Sequence, residues 1–98
     1  MVDRADLEKI TDRLAQAEAK LAYSGGAARR MTGVRTLLRA FQRDDMPTAA
    51  ARGLWIQIVQ AMLRLTDDKI TVDEICDLRR QIGELRKAIR DHLAHITG

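Results

Sequence analysis

Cysteine, proline, histidine and aromatic residues are scarce in this 98-residue sequence. Its single cysteine, Cys76, excludes a disulfide framework within the chain, and two histidines are too few for a histidine-rich metal site. Aromatic residues make up 3% of the chain, and Pro47 is its single proline. No apolar run approaches the length of a membrane span, so we expect no membrane partner.

The hydrophobic residues, 46% of the chain, are mainly Leu, Ile, Val, Met and Ala. With so few aromatic residues, this composition favours helix over strand. We therefore predict an all-α fold, a single domain over residues 1–98 that forms a three- to four-helix bundle with a long C-terminal helix. The first residues are charged and periodic, unlike a signal peptide, so a cytoplasmic protein is expected.

Apolar residues recur at steps of three and four in four segments of the chain. We predict helices over residues 3–23, 33–43, 46–65 and 71–96. The glycine-containing stretch 24–32 is predicted as a mobile loop, although its Ala-Ala-Arg-Arg-Met core could form a helical turn. Thr32 is predicted as the N-cap of the second helix. The third helix carries few charges and is expected to be the most buried element, with its Gly53 at a close helix crossing.

The fourth helix has the clearest start signal in the sequence. Thr71 and Glu74 match a capping box, in which each side chain accepts a hydrogen bond from the other residue's backbone amide. Ile70 and Ile75 occupy the flanking positions of a hydrophobic staple. A helix that runs from here to residue 96 spans about 39 Å at 1.5 Å per residue.

An apolar seam runs along the fourth helix with the alternating steps of a heptad repeat. Beside it lie two small residues, Gly83 and Cys76, and the cysteine is predicted as a buried thiol. The seam is longer than the first helix is expected to cover, so we predict a homo-oligomer in which it meets the first helix or an antiparallel copy. The predicted oligomer interface consists of Ile75, Leu78, Ile82, Gly83, Leu85 and Ile89.

Positive charge is concentrated in residues 24–43, which we call the arginine segment. The chain has a net charge of +3, and the arginine segment holds five arginines and no acid, while the rest is nearly balanced. Arginine suits phosphate and carboxylate because its planar guanidinium donates paired hydrogen bonds. The segment is either an anion-binding face or a solvated face that pairs with neighbouring acids. The candidate binding residues are Arg29, Arg30, Arg35, Arg39 and Arg43.

These observations predict a small non-enzymatic adaptor or regulator that acts as an oligomer and binds an acidic protein surface or nucleic-acid phosphate. A DNA-associated, phage-like accessory protein fits this size. The arginines are not interleaved with a series of aromatic residues, so a nucleic acid would be contacted at phosphate with little sequence readout.

Two other sites are disfavoured by the sequence. A helix-turn-helix with its turn at residues 44–48 would place an apolar helix where a polar recognition helix is needed. His92 and His95 are three apart on one predicted helix, but no third ligand is nearby, so no metal or other cofactor is expected.

Residues 35–62, which begin Arg-Thr-Leu-Leu-Arg-Ala-Phe-Gln-Arg, loosely resemble the second and third helices of the all-helical chorismate mutases. In that family, arginines and a lysine hold a dicarboxylate, with an acid and a glutamine nearby. The resemblance implies an alternative function, a small helical enzyme that binds an anionic metabolite. It spans under a third of the chain. The first helix lacks the family's repeating Ile-Asp pattern, and residues 66–68 replace its glutamine region.

Overall fold

In the computed structural model, the described part of the chain contains four α-helices. The structure describes residues 4–22, 27–39, 41–42, 45–64 and 70–96, and for residues 22, 27–31 and 96 it describes the backbone alone. The helices are α1 (Arg4–Ala22), α2 (Ala27–Leu38), α3 (Ala49–Arg64) and α4 (Val72–Ile96). No strand occurs within these ranges, and the predicted all-α fold is confirmed. None of the helices so described is both long and apolar enough to cross a membrane.

α4 lies at the centre of the helix packing. Both α1 and α3 pack against α4, and α2 packs against α1. α2 and α3 are therefore the outer helices of the series α2–α1–α4–α3, and their described backbones make no extensive contact with each other. The molecule measures 44 × 21 × 20 Å. Its long dimension follows from the 25 residues of α4, which span about 37 Å at 1.5 Å per residue.

The apolar stripes of α1 and α4 form most of the core. Every residue of the α1 stripe is at most 4% exposed, and every residue of the α4 seam up to Ile89 is at most 6% exposed. Burial of apolar surface stabilises a fold by roughly 25 cal/mol per Å², so this contact is the main source of stability. The buried residues are Leu7, Ile10, Leu14, Ala17 and Leu21 in α1, and Ile75, Leu78, Ile82, Leu85 and Ile89 in α4.

The seam of α4, predicted as an oligomer interface, is covered within a single chain. Ile82, Leu85 and Ile89 have no exposed surface, because α1 and α3 both pack against α4. The oligomer interface was predicted from the cover that α1 alone provides, and the contact of α3 with α4 supplies the additional cover. In this arrangement these residues are not available to a second copy. Assembly into an oligomer stays a prediction, and it needs another surface.

Gly83, which belongs to the same predicted interface, is covered by α1. Glu18 of α1 lies over it, and a Cβ atom built on Gly83 would come within 2.6 Å of Glu18 Oε1. The other carboxylate oxygen, Glu18 Oε2, is 2.9 Å from Arg86 Nε, about one turn further along α4. The missing side chain of Gly83 thus lets a carboxylate lie against α4 beside its ion-pair partner.

The capping box at the start of α4 is formed as predicted. Thr71 Oγ1 accepts a hydrogen bond from the Glu74 amide (3.1 Å), and Glu74 Oε1 accepts one from the Thr71 amide (3.0 Å). Ile70 packs against the core and Ile75 is buried, as the staple requires. Cys76 is exposed, so its prediction as a buried thiol is wrong; the preceding Ile75 takes the core position at this level.

α2 covers a different stretch of chain from the predicted helix 33–43. Residues 27–32, predicted as loop, are helical because their Ala-Ala-Arg-Arg-Met run consists largely of strong helix formers. Thr32 therefore lies inside the helix instead of capping it, and its carbonyl accepts a hydrogen bond from the Thr36 hydroxyl (2.9 Å). The rest of the predicted loop, residues 24–26, lies outside the described residues.

The connection after α2 is a turn, where the sequence predicted more helix. This connection buries Phe41 and Met46 in the core, at 9% and 2% exposure. Among the described residues, the helical turn that was predicted at the end of α2 is therefore absent, and Phe41 reaches the core from the connection. α3 then begins at Ala49, three residues later than predicted. The Thr48 hydroxyl sets this start, because it accepts a hydrogen bond from the Ala51 amide (3.1 Å) and acts as the N-cap.

α3 is not the most buried helix, contrary to the expectation from its apolar sequence. Ala51, Trp55 and Ile58 are buried, whereas Ile56 is 39% and Leu63 is 80% exposed. α3 is less buried than expected because, within the described residues, α4 is the one helix that packs extensively against it.

Loss of the capping hydroxyl should weaken α4. We expect Thr71→Ala to lower the free energy of unfolding by about 1 kcal/mol, because the Glu74 amide loses its acceptor. Urea denaturation followed by circular dichroism measures the change. Thr36→Ala is the control, because that exposed hydroxyl bonds a carbonyl inside a helix, and its stability should change by less than about 0.5 kcal/mol. Equal losses in the two variants would contradict the capping role.

Replacement by alanine should affect the stability of the protein differently at two helical glycines, Gly53 and Gly83. Gly53 was expected at a helix crossing, but it is exposed and an added Cβ meets nothing within 4 Å. Gly53→Ala should therefore stabilise the fold by about 0.5–1 kcal/mol through helix propensity. Gly83→Ala should give no such gain, because its Cβ displaces the Glu18 carboxylate from Arg86. Thermal or urea unfolding compares the two, and an equal gain at both positions would contradict the packing at Gly83.

The oligomer prediction can be checked by light scattering. The single chain has a mass of 11.0 kDa. A scattering mass that is a multiple of this value supports assembly through a surface other than the α4 seam. A mass of 11.0 kDa across the accessible concentration range refutes the oligomer.

Candidate functional site

An aromatic pair joins the end of α2 to α3. The rings of Phe41 and Trp55 meet edge to face, with their centroids 6.2 Å apart and their planes at 69°. A short turn supports the pair: the Gln42 amide donates to Asp45 Oδ2 (2.7 Å), and the Asp45 amide donates to the Gln42 carbonyl (3.0 Å). The two outer helices thus approach each other at this point without packing along their lengths.

A cavity of about 250 Å³ opens between α2 and α3. Its floor is apolar, since Leu38 and Trp55 are buried and Val59 is partly buried, while Leu63 at its edge is mostly exposed. We call this surface the α2–α3 groove. It is lined by Arg35, Leu38, Arg39, Trp55, Val59, Met62 and Leu63.

Two of the five arginines predicted to bind anions line the α2–α3 groove. Arg35 is half-buried and Arg39, about one turn later, is exposed. Arg29 and Arg30 belong to the first turn of α2, but their side chains lie outside the described residues, as does the whole of Arg43. The structure therefore brings Arg35 and Arg39 together with an apolar surface.

The two helices that flank the groove are basic. Neither α2 nor α3 contains an aspartate or a glutamate, and the acids of the described helices lie on α1 and α4. In the connection between them, the carboxylate of Asp45 accepts a hydrogen bond from the backbone. A guanidinium beside an apolar wall attracts an anion more strongly than one surrounded by water, because the local dielectric constant is lower. The groove therefore combines attraction for anions with an apolar floor.

The chemistry of the lining favours binding. Its described residues supply two guanidinium groups and a tryptophan indole N–H, but no carboxyl, imidazole, thiol or hydroxyl group. The volume of about 250 Å³ lies below the range of about 300–1,000 Å³ that is usual for small-molecule sites. Such a cavity accommodates one or two apolar side chains of a partner.

Two further cavities have linings of mixed charge. One lies between α3 and α4 and includes Arg64, Glu74 and Asp77; the other follows the surface of α4 at Arg86 and Arg90. The first lining has one base and two acids. The second has three basic residues and one acid, Asp91, and one of its bases, Arg86, is paired with Glu18. Neighbouring groups of opposite charge weaken the net attraction for one kind of ion. Within the described part of the chain, no group of three or more His, Cys, Asp or Glu side chains is placed to hold a metal ion.

The apolar half of the groove was not predicted from the sequence. Trp55, Val59 and Met62 were assigned to a core-facing arc of the third helix. The available signal was the width of that arc: Ile56 and Leu63, seven residues apart, extend it beyond the stripe that one neighbouring helix can cover. An apolar surface of this width can contact a second partner in addition to α4.

Comparisons with known proteins add no relative to this description. No family model, no curated protein and no solved structure matches the chain.

Proposed function

We propose that this protein is a non-enzymatic interaction module, an adaptor or regulator, that binds an acidic partner at the α2–α3 groove. One observation carries the proposal: Arg35 and Arg39 line an apolar cavity between two helices that contain no acid. The arginines supply attraction and orientation for carboxylates, and the apolar floor supplies burial. If the arginines formed only a solvated charged surface, the apolar cavity beside them would have no role.

An acidic protein fits this surface better than a nucleic acid. Phe41 and Trp55 are buried, at 9% and 5% exposure, so neither ring is placed to stack on a base. Nucleic-acid binding would therefore depend on phosphate contacts with Arg35 and Arg39 and would leave the apolar floor unused. A protein partner uses both halves of the groove.

The alternative, a small enzyme that acts on an anionic metabolite, would use the same two arginines. An enzyme also needs groups that move protons or stabilise the reacting atoms, within a pocket that encloses the substrate. The described lining of the α2–α3 groove has an apolar floor where such groups would stand. The interaction function therefore has the stronger support.

Binding of polyanions tests the role of the arginines. We expect the protein to bind poly-L-glutamate at about 50 mM salt and to lose most of this binding at about 300 mM, because surface ion pairs are screened. Arg35→Gln/Arg39→Gln should weaken binding by roughly tenfold or more, and Arg39→Gln alone by less. Fluorescence anisotropy of labelled poly-L-glutamate measures the affinity, and labelled duplex DNA run in parallel shows which polyanion is preferred.

Arg80→Gln is the matched control for the change in charge. Arg80 is exposed on α4, where its Nη2 lies 3.6 Å from Asp77 Oδ1, and it is not part of the α2–α3 groove. This variant should bind poly-L-glutamate nearly as tightly as the unchanged protein. Circular dichroism checks that each variant is folded. Equal weakening by Arg39→Gln and Arg80→Gln would refute a localised site, and so would the absence of any binding at low salt.

A further inference from the structure

We infer that the α2–α3 groove receives one amphipathic helix of a partner protein, with the apolar stripe of that helix flanked by acidic residues. This inference rests on the proposed function and specifies the partner: a short acidic helix, which docks as a helix. Helix-in-groove recognition uses apolar anchors at helical spacing, with charges at the edges that set the orientation.

The length of the groove matches two or three such anchors. On α3 its lining consists of Trp55, Val59, Met62 and Leu63, which recur at steps of four, three and one. From Trp55 to Leu63 this face extends about 12 Å, or a little over two turns. A partner helix presents a comparable stripe over two turns, and a volume of about 250 Å³ holds one or two of its side chains.

Exposed apolar residues continue the groove across α3. Among the described residues, the exposed large hydrophobic side chains are Ile56 and Leu63 on α3 and Val72 at the start of α4. Ile56 and Leu63 are seven residues apart, so they lie on one face of α3, with the partly buried Val59 between them. Apolar residues grouped in this way beside a cavity mark an interaction surface. A docked helix would cover Leu63, which is 80% exposed, together with the cavity floor.

Charge decides between the possible occupants. A second copy that presented its own α2 and α3 would bring arginine towards arginine, because neither helix contains an acid. A neutral amphipathic helix would leave Arg35 and Arg39 unused at the edge of its binding site. Glutamate or aspartate beside the apolar stripe matches the positive charge of this edge of the groove and guides association over a longer range.

The test uses synthetic peptides and the protein's own tryptophan. The probe is a peptide of about 18 residues, or five turns, with leucine at steps of three and four and glutamate on both sides of the stripe. A scrambled peptide keeps the composition and charge but has no apolar face. Trp55 is the single tryptophan of the chain and lines the groove, so its emission reports occupancy. We expect a saturable change in emission with the probe and at least about tenfold weaker binding of the scrambled peptide.

A matched pair of variants places the peptide on the protein. Leu63→Glu puts a carboxylate at the edge of the groove, and Val72→Glu makes the same change at the start of α4, outside it. Both side chains are more than three-quarters exposed, so both variants should fold, and circular dichroism checks this. Leu63→Glu should weaken binding of the probe by about tenfold or more, while Val72→Glu should change it less than about twofold.

The outcomes separate this inference from the proposed function. Equal affinity for the probe and the scrambled peptide, together with poly-L-glutamate binding that depends on Arg39, would overturn the helix and leave the acidic partner standing. Absence of both kinds of binding would overturn both. Two further results would also overturn the helical partner: Trp55 emission that changes with protein concentration alone, which indicates a second copy, and binding to anionic lipid vesicles that is tighter than to the probe and lost in Leu63→Glu.

Discussion

The packing of α1 against α4 is the contact on which the rest of the structure depends. Each helix contributes a continuous row of apolar side chains, and residues such as Leu14, Ile82 and Leu85 have no exposed surface. α2 reaches the core mainly through α1, and α3 reaches it mainly through α4. The outer helices are thus held independently, one on each member of the central pair. This arrangement leaves their facing surfaces only partly joined, at Phe41 and Trp55.

The groove is a consequence of this separate support. A helix covered on one side has to bury only one stripe, and α3 does so through Ala51, Trp55 and Ile58. Further apolar residues of α3 pack against the core at partial burial, namely Leu54, Val59, Ala61 and Met62. Ile56 and Leu63 stay exposed, and apolar residues grouped beside a cavity mark an interaction surface. The charge of the outer helices is also one-sided, since neither α2 nor α3 contains an acid. Arginine is the only type of charged residue on both helices, and the proposed binding of an acidic partner would account for both features together.

Local patterns in the sequence predicted those parts of the fold that depend on residues close together in the chain. The stripe of α1, the seam of α4 and the Thr71–Glu74 cap each need only helical spacing or a four-residue pattern, and all three are present. The pairing of helices was harder to predict, because it depends on contacts between distant segments. Because the α3–α4 contact was not predicted, the apolar seam of α4 was expected to be longer than the surface that α1 covers. For the same reason, α3 was expected to be a central helix and not an outer one. Arg35 and Arg39 were singled out from charge alone, but most of their apolar neighbours in the groove come from α3.

The contact between Glu18 and Gly83 also favours one register of the two central helices. A row of alternating isoleucine and leucine repeats every seven residues, so α1 could slide along α4 by one heptad and still meet a similar row. Gly83 is the single glycine of α4, and its counterparts one heptad away are Cys76 and Arg90. At Gly83 the Glu18 carboxylate lies against the helix, with its Oε2 2.9 Å from Arg86 Nε. A slipped pairing would bury similar apolar surface but would place a side chain beneath Glu18, so the glycine favours the observed alignment over others that hydrophobic contact alone would accept.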